Sequence, residues 1–124
     1  MLLIDTSAWI EWLIGSPLGE RLGKHFPPAD QIIMPTIVQL ELAKWLEREQ
    51  DEDVANRMIA FSSTCVVVPL TTDLALSAAA LHKAHKLATA DAIIYATASA
   101  KNALLLTCDA HFQGLANVMF ERKR

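Results

Sequence analysis

The chain has 124 residues, 52% of them hydrophobic, and a formal net charge of −3. That length suits one domain around one core, expected over residues 1–124, and no apolar stretch is long enough to span a membrane. The acidic balance excludes a protein that holds nucleic acid by bulk charge alone, so a polyanion would need metal ions or a local basic patch.

Leu2-Leu3-Ile4 reads as a short buried strand, interrupted by Asp5 and lacking the positive leader of a signal peptide. Thr6-Ser7 offer capping hydroxyls to a helix running to Ile14, with Gly15 as its stop. Ser16-Pro17 open a second helix carrying Leu18, Leu22 and Phe26, and Pro27–Asp30 form a turn before the strand Ile32–Met34. Pro35-Thr36 begin a long helix to about Gln50, and Asp51 begins another with Val54, Met58 and Phe61. Cys65–Val68 is β-branched and bounded by Pro69, which predicts a central strand. Thr71–Asp73 cap a helix to about Lys86, and Thr89 caps a further helix from Asp91 to about Ala100. Leu104–Thr107 is a strand, Ala110–Phe112 a helical turn, and Val118–Phe120 a last strand.

Short apolar strands alternating with helices predict a parallel sheet covered on both faces. In such folds ligands bind beyond the carboxyl ends of the strands. Asp5 and Asp109 both lie at that edge. Each also has a plain local role open to it, Asp5 as a helix cap and Asp109 in a turn. Asp91, in a first helical turn, suits the helix dipole. Glu41 is different: at helical spacing it stacks with Ile37, Val38 and Trp45, an apolar stripe where a carboxylate carries a desolvation cost unless paired, metal-bound or at the wet edge. Gln39, Lys44, Glu47 and Arg48 are expected to face water.

Several carboxylates at one sheet edge repel one another and call for a cation. Oxygen ligands suit Mg²⁺ or Mn²⁺, one ion or two, which could hold a phosphodiester and activate water. Other constellations are weaker. His82 and His85 read as a wet helical face, and His111 as a turn residue that could touch phosphate or metal. Cys65 and Cys108 lack zinc-site spacing and read as buried, reduced thiols of a cytoplasmic protein. The tail Glu121–Arg124 reads as a solvated terminus.

Four segments together resemble the PIN-domain family, specifically the toxin ribonucleases of VapBC-type toxin–antitoxin pairs. They are Ile4-Asp5-Thr6-Ser7, Gln39-Leu40-Glu41-Leu42, the run Leu87 to Ala98 around Asp91, and Leu106-Thr107-Cys108-Asp109-Ala110-His111-Phe112. The resemblance implies a PIN-like three-layer α/β/α sandwich with a central parallel sheet of four to five strands. It implies a Mg²⁺- or Mn²⁺-dependent endoribonuclease acting as the toxin of such a pair, with RNA as substrate, a cognate antitoxin and a homodimer. By matching motif, Asp5, Glu41, Asp91 and Asp109 become the metal-binding carboxylates, with Thr6 and Thr107 as supporting hydroxyls. Some relatives carry a further acid shortly after the fourth; this chain has His111 there. A hydrophobic groove for an antitoxin helix is suggested around Trp9, Trp12, Leu13, Leu18 and Trp45, although core packing also accounts for most of them. Two other readings are a non-catalytic PIN-like regulatory or RNA-binding module and a phosphoacceptor receiver domain. The second is disfavoured by Glu41 on a helix and by the lack of a lysine after a late strand at the place that chemistry needs.

Overall fold

A computed structural model describes residues 1–123. Five parallel strands, β1 (Leu2–Ile4), β2 (Ile32–Pro35), β3 (Val66–Val68), β4 (Leu104–Thr107) and β5 (Val118–Phe120), form one sheet in the order β3-β2-β1-β4-β5. The helices are α1 (Thr6–Ile14), α2 (Pro17–Gly23), α3 (Thr36–Glu49), α4 (Glu52–Ser62), α5 (Thr72–His85) and α6 (Thr89–Ala100).

The first three strands step outward in one direction, and the chain then returns across the sheet to β4. Right-handed crossovers put the connections of the two directions on opposite faces. Accordingly α1 packs on α2 and α3, and α3 on α4, whereas α5 packs on α6. This is the PIN-like α/β/α sandwich, with five strands. The reversal also creates a switch point between β1 and β4, the place where open parallel sheets bind ligands.

The core follows from the strands. Every residue of β1 and β2 is buried, and Trp9, Leu42, Leu46, Ile94 and Phe112 close over them. The segment predicted as a central strand, Cys65–Val68, is instead the edge strand β3, with Val67 39% exposed. A β-branched run reports half-buried pleated surface and does not distinguish an edge from a centre. On α1 the cap is not a hydroxyl: Asp5 is the N-cap residue and its carboxylate accepts from the Ala8 amide. On α6, Ala88 holds the cap position with no side-chain bond, so Thr89 does not cap and Asp91 falls in the first turn.

Two glycines set the α1–α2 corner. Gly15 ends α1 at φ 69°, a left-handed conformation that a side chain disfavours. Gly19 lets α2 approach α1 so closely that an added Cβ would lie 2.1 Å from the Glu11 carbonyl oxygen.

Candidate active site

Asp5 leaves the end of β1 and its amide donates to the Leu106 carbonyl of β4 at 3.1 Å, so it sits in the switch-point crevice itself. The residue is only 3% exposed. Oδ1 accepts from the Ser7 hydroxyl at 2.6 Å and the Ala8 amide at 3.1 Å, and Oδ2 accepts from the Thr107 hydroxyl at 2.7 Å. Burial pushes its pKa from 3.8 up to about 6; the three hydrogen bonds oppose this, and the charge of Asp109 adds to it. An acid wanted only as a helix cap would be better placed in water.

Asp109 follows β4 and is tied to the same network, because its amide donates to the Thr107 hydroxyl at 2.9 Å. It also performs its local role, capping the 3₁₀ turn Ala110–Phe112 through its bond from the His111 amide. Asp91 stands half-buried on the first turn of α6. Burial raises its carboxyl above the ordinary range, the charge of Asp109 adds to this, and that of Glu41 does so more weakly, while His111 pulls the other way. Glu41, on α3, is partly buried and accepts the Thr6 hydroxyl at 2.6 Å. Thus all four predicted acids are connected, through Thr107 or through mutual repulsion, and both predicted threonines bind a member of the group.

The apolar stripe expected around Glu41 is present, with Val38, Leu42 and Leu46 buried and Ile37 and Trp45 partly so. Gln39 departs from the wet face predicted for it: its amide donates to the buried Ser62 hydroxyl at 3.0 Å, joining α3 to α4. Ser7 was not singled out for the site. It lies two residues beyond Asp5, bonds that carboxylate, and accepts from the Cys108 amide at 3.4 Å. The spacing Asp-x-Ser at a helix start was the available signal. His111 is the other underweighted residue: its Nδ1 lies 3.3 Å from Asp91 Oδ2 and 3.2 Å from Asp109 Oδ1.

Among the described residues no lysine or arginine pairs with any of the four acids. A carboxylate cluster in which burial and neighbouring charge raise the pKa values of Asp5 and Asp91, with one exposed imidazole beside it, fits a divalent cation: it presents hard oxygen donors and no lysine or arginine to offset their charge. Beside it a cavity of about 460 Å³ is lined by Ser7, Asp109, Gln113, Phe120, Arg122 and Lys123. The free thiols Cys65 and Cys108 are buried, and burial raises both pKa values, so neither is poised as a nucleophile.

The groove suggested by the tryptophans is corrected in part. Trp9 is fully buried, edge-on to Trp12, Phe26 and Phe61, and Leu18 is buried under α1, so both belong to the core. Trp12 is 40% exposed, and Leu13 and Trp45 are partly buried.

A five-stranded parallel α/β/α sandwich with linked carboxylates at its switch point defines the class. The chain belongs to the PIN-domain family, whose family model matches residues 2–118. A toxin–antitoxin complex from Klebsiella pneumoniae contains a similar chain, 26% identical, with a TM-score of 0.82 and 96% of each chain covered. VapC20 from Mycobacterium tuberculosis, a sarcin–ricin-loop-cleaving toxin, is 22% identical with a TM-score of 0.77, covering 99% of this chain and 100% of its own. FitAcB from Neisseria gonorrhoeae is 20% identical with a TM-score of 0.75, covering 98% of this chain and 97% of its own. No curated protein sequence matches the chain significantly. No helix among the described residues is long and apolar enough to cross a membrane.

Proposed function

We propose that this protein is a Mg²⁺- or Mn²⁺-dependent endoribonuclease and the toxin of a VapBC-type toxin–antitoxin pair. The observation that carries the reading is the buried, hydrogen-bonded Asp5 at the switch point, linked through Thr107 to Asp109 and grouped with Asp91 and Glu41. The likeness to a chain of a toxin–antitoxin complex supports the partner.

In this reading Asp5, Glu41, Asp91 and Asp109 hold the cation. Bound there, it supplies charge neutralisation on the phosphodiester and lowers the pKa of an attacking water. Ser7 and Thr107 fix both oxygens of Asp5, and Thr6 fixes Glu41, so the donors are set before substrate arrives. Arg122 and Lys123, lining the adjoining cavity, hold flanking phosphates and supply the local basic patch that the net charge lacks. An antitoxin helix docks against Trp12, whose exposed indole is large enough to anchor it. A second copy of the chain packs against the exposed Leu70 and Leu76, which light scattering of the purified toxin would register as a dimer.

The purified chain should cut RNA in Mg²⁺ or Mn²⁺, stop in EDTA, and lose cleavage in Asp91→Asn without loss of fold. Full cleavage in EDTA and in the variant would overturn the reading. RNA binding without cleavage in either metal would favour the non-catalytic module.

A further inference from the structure

We propose that His111 supplies an imidazole nitrogen to the cation site, making it a mixed nitrogen–oxygen centre that favours first-row transition ions such as Mn²⁺ over Mg²⁺. This rests on the cation-site reading above and goes beyond it, since that reading needs only oxygen donors.

The geometry is specific. His111 Nδ1 approaches one oxygen of Asp91 and one of Asp109 almost equally, at 3.3 and 3.2 Å. One ligand atom from each of the three residues lies within 4.8 Å of the others, close enough to share an ion. The backbone that carries the imidazole is pinned on both sides. Asp109 Oδ1 accepts the His111 amide at 2.9 Å, and Phe112, the next residue, is fully buried. The ring itself is 73% exposed, so it has no place in the core and no packing reason to lie there.

The chemistry follows from the donor. Mg²⁺ takes oxygen ligands and keeps its waters, and gains little from imidazole. First-row transition ions accept imidazole more readily than Mg²⁺ does, Mn²⁺ the least strongly among them, so one nitrogen in a carboxylate site shifts preference toward them. His111 occupies the position where an additional carboxylate would give an all-oxygen site, so this chain and one with an acid there should differ in metal preference.

Mn²⁺ added to the full chain in nitrogen-free buffer provides the test. Pulsed electron paramagnetic resonance should show nitrogen coupling to Mn²⁺ in the wild type and none in His111→Ala. By titration, His111→Ala should weaken Mn²⁺ by at least roughly tenfold, the scale on which losing even an orienting partner acts, and Mg²⁺ by much less. His111→Asp should reverse the preference toward Mg²⁺. In EDTA the exposed position predicts melting of His111→Ala close to the wild type, and lower melting of His111→Asp because a further carboxylate joins the repelling group, with circular dichroism confirming that both variants are folded. Bound Mn²⁺ without nitrogen coupling, or equal weakening of both ions in His111→Ala, overturns the role of His111 and leaves the carboxylate site standing. No Mn²⁺ binding at all overturns both.

Discussion

The Thr107 hydroxyl donates to Asp5 Oδ2 at 2.7 Å, joining the ends of adjacent strands β1 and β4 across 102 residues of sequence. The Thr107 hydroxyl oxygen also accepts the Asp109 amide, so one small side chain orients two of the four acids. Replacing it with valine keeps the shape and removes both bonds. Thr107→Val should destabilise the protein by about 1–3 kcal/mol at neutral pH, the scale of losing a buried bond to a charged group. The loss should shrink when Asp5 is protonated, which urea unfolding at pH 7 and pH 4.5 would measure.

Asp5 makes the metal-free protein sensitive to pH in an unusual direction. Its folded pKa of about 6 lies above the ordinary 3.8, so the native state binds the extra proton between those values. The Asp5 contribution to stability in EDTA should therefore be fully present below the lower value and be lost as pH rises through the upper one, about 3 kcal/mol in total. Asp5→Asn should flatten that slope and melt higher than the wild type at pH 7 without metal. A wild-type slope of the opposite sign from pH 4 to 6.5 would show that Asp5 is not the controlling group.

Gly19 carries a prediction about packing alone. Gly19→Ala forces a Cβ against the Glu11 carbonyl and the Trp12 backbone, and neither can rotate away. The α1–α2 pair must separate, at a cost of about 1–3 kcal/mol. Chemical unfolding should report the loss, with metal affinity of the folded fraction unchanged.

Trp12 predicts partner binding. Because it is the exposed tryptophan of the α1–α2 corner while Trp9 is enclosed, Trp12→Ala should weaken the antitoxin by at least about 2 kcal/mol, and cleavage by free toxin should persist. Calorimetry with the cognate antitoxin would check this; unchanged affinity would place the partner elsewhere.

Much of this was legible in the sequence because local signals and the fold agree. The apolar runs of β1, β2 and β4 call for burial on both faces, which the structure gives everywhere but at Leu104, and the acids ending β1 and following β4 mark the carboxyl edge. The position of Val66–Val68 within the sheet was not legible, since strand order depends on long-range pairing that β-branched composition does not encode. Trp9 and Leu18 were ambiguous for a related reason: apolar residues on a helix read alike whether they face a core or a partner. The position of Asp5 in the sequence suits a cap or a site residue alike, and the structure has the cap in place on a buried carboxylate that Thr107 also binds. His111 was underweighted because its approach to Asp91 bridges 20 residues and appears only once α6 and the turn after β4 are packed together.

The central claim is that the four acids form a cation site, and the most direct measurement is the melting temperature of the metal-free protein at pH 7 as Mn²⁺ or Mg²⁺ is added. Ligand that binds only the native state stabilises by RT ln(1 + [L]/Kd). The wild type should melt progressively higher up to millimolar metal, and Asp91→Asn should respond far less. Melting curves of the wild type that stay fixed across that range would contradict the account.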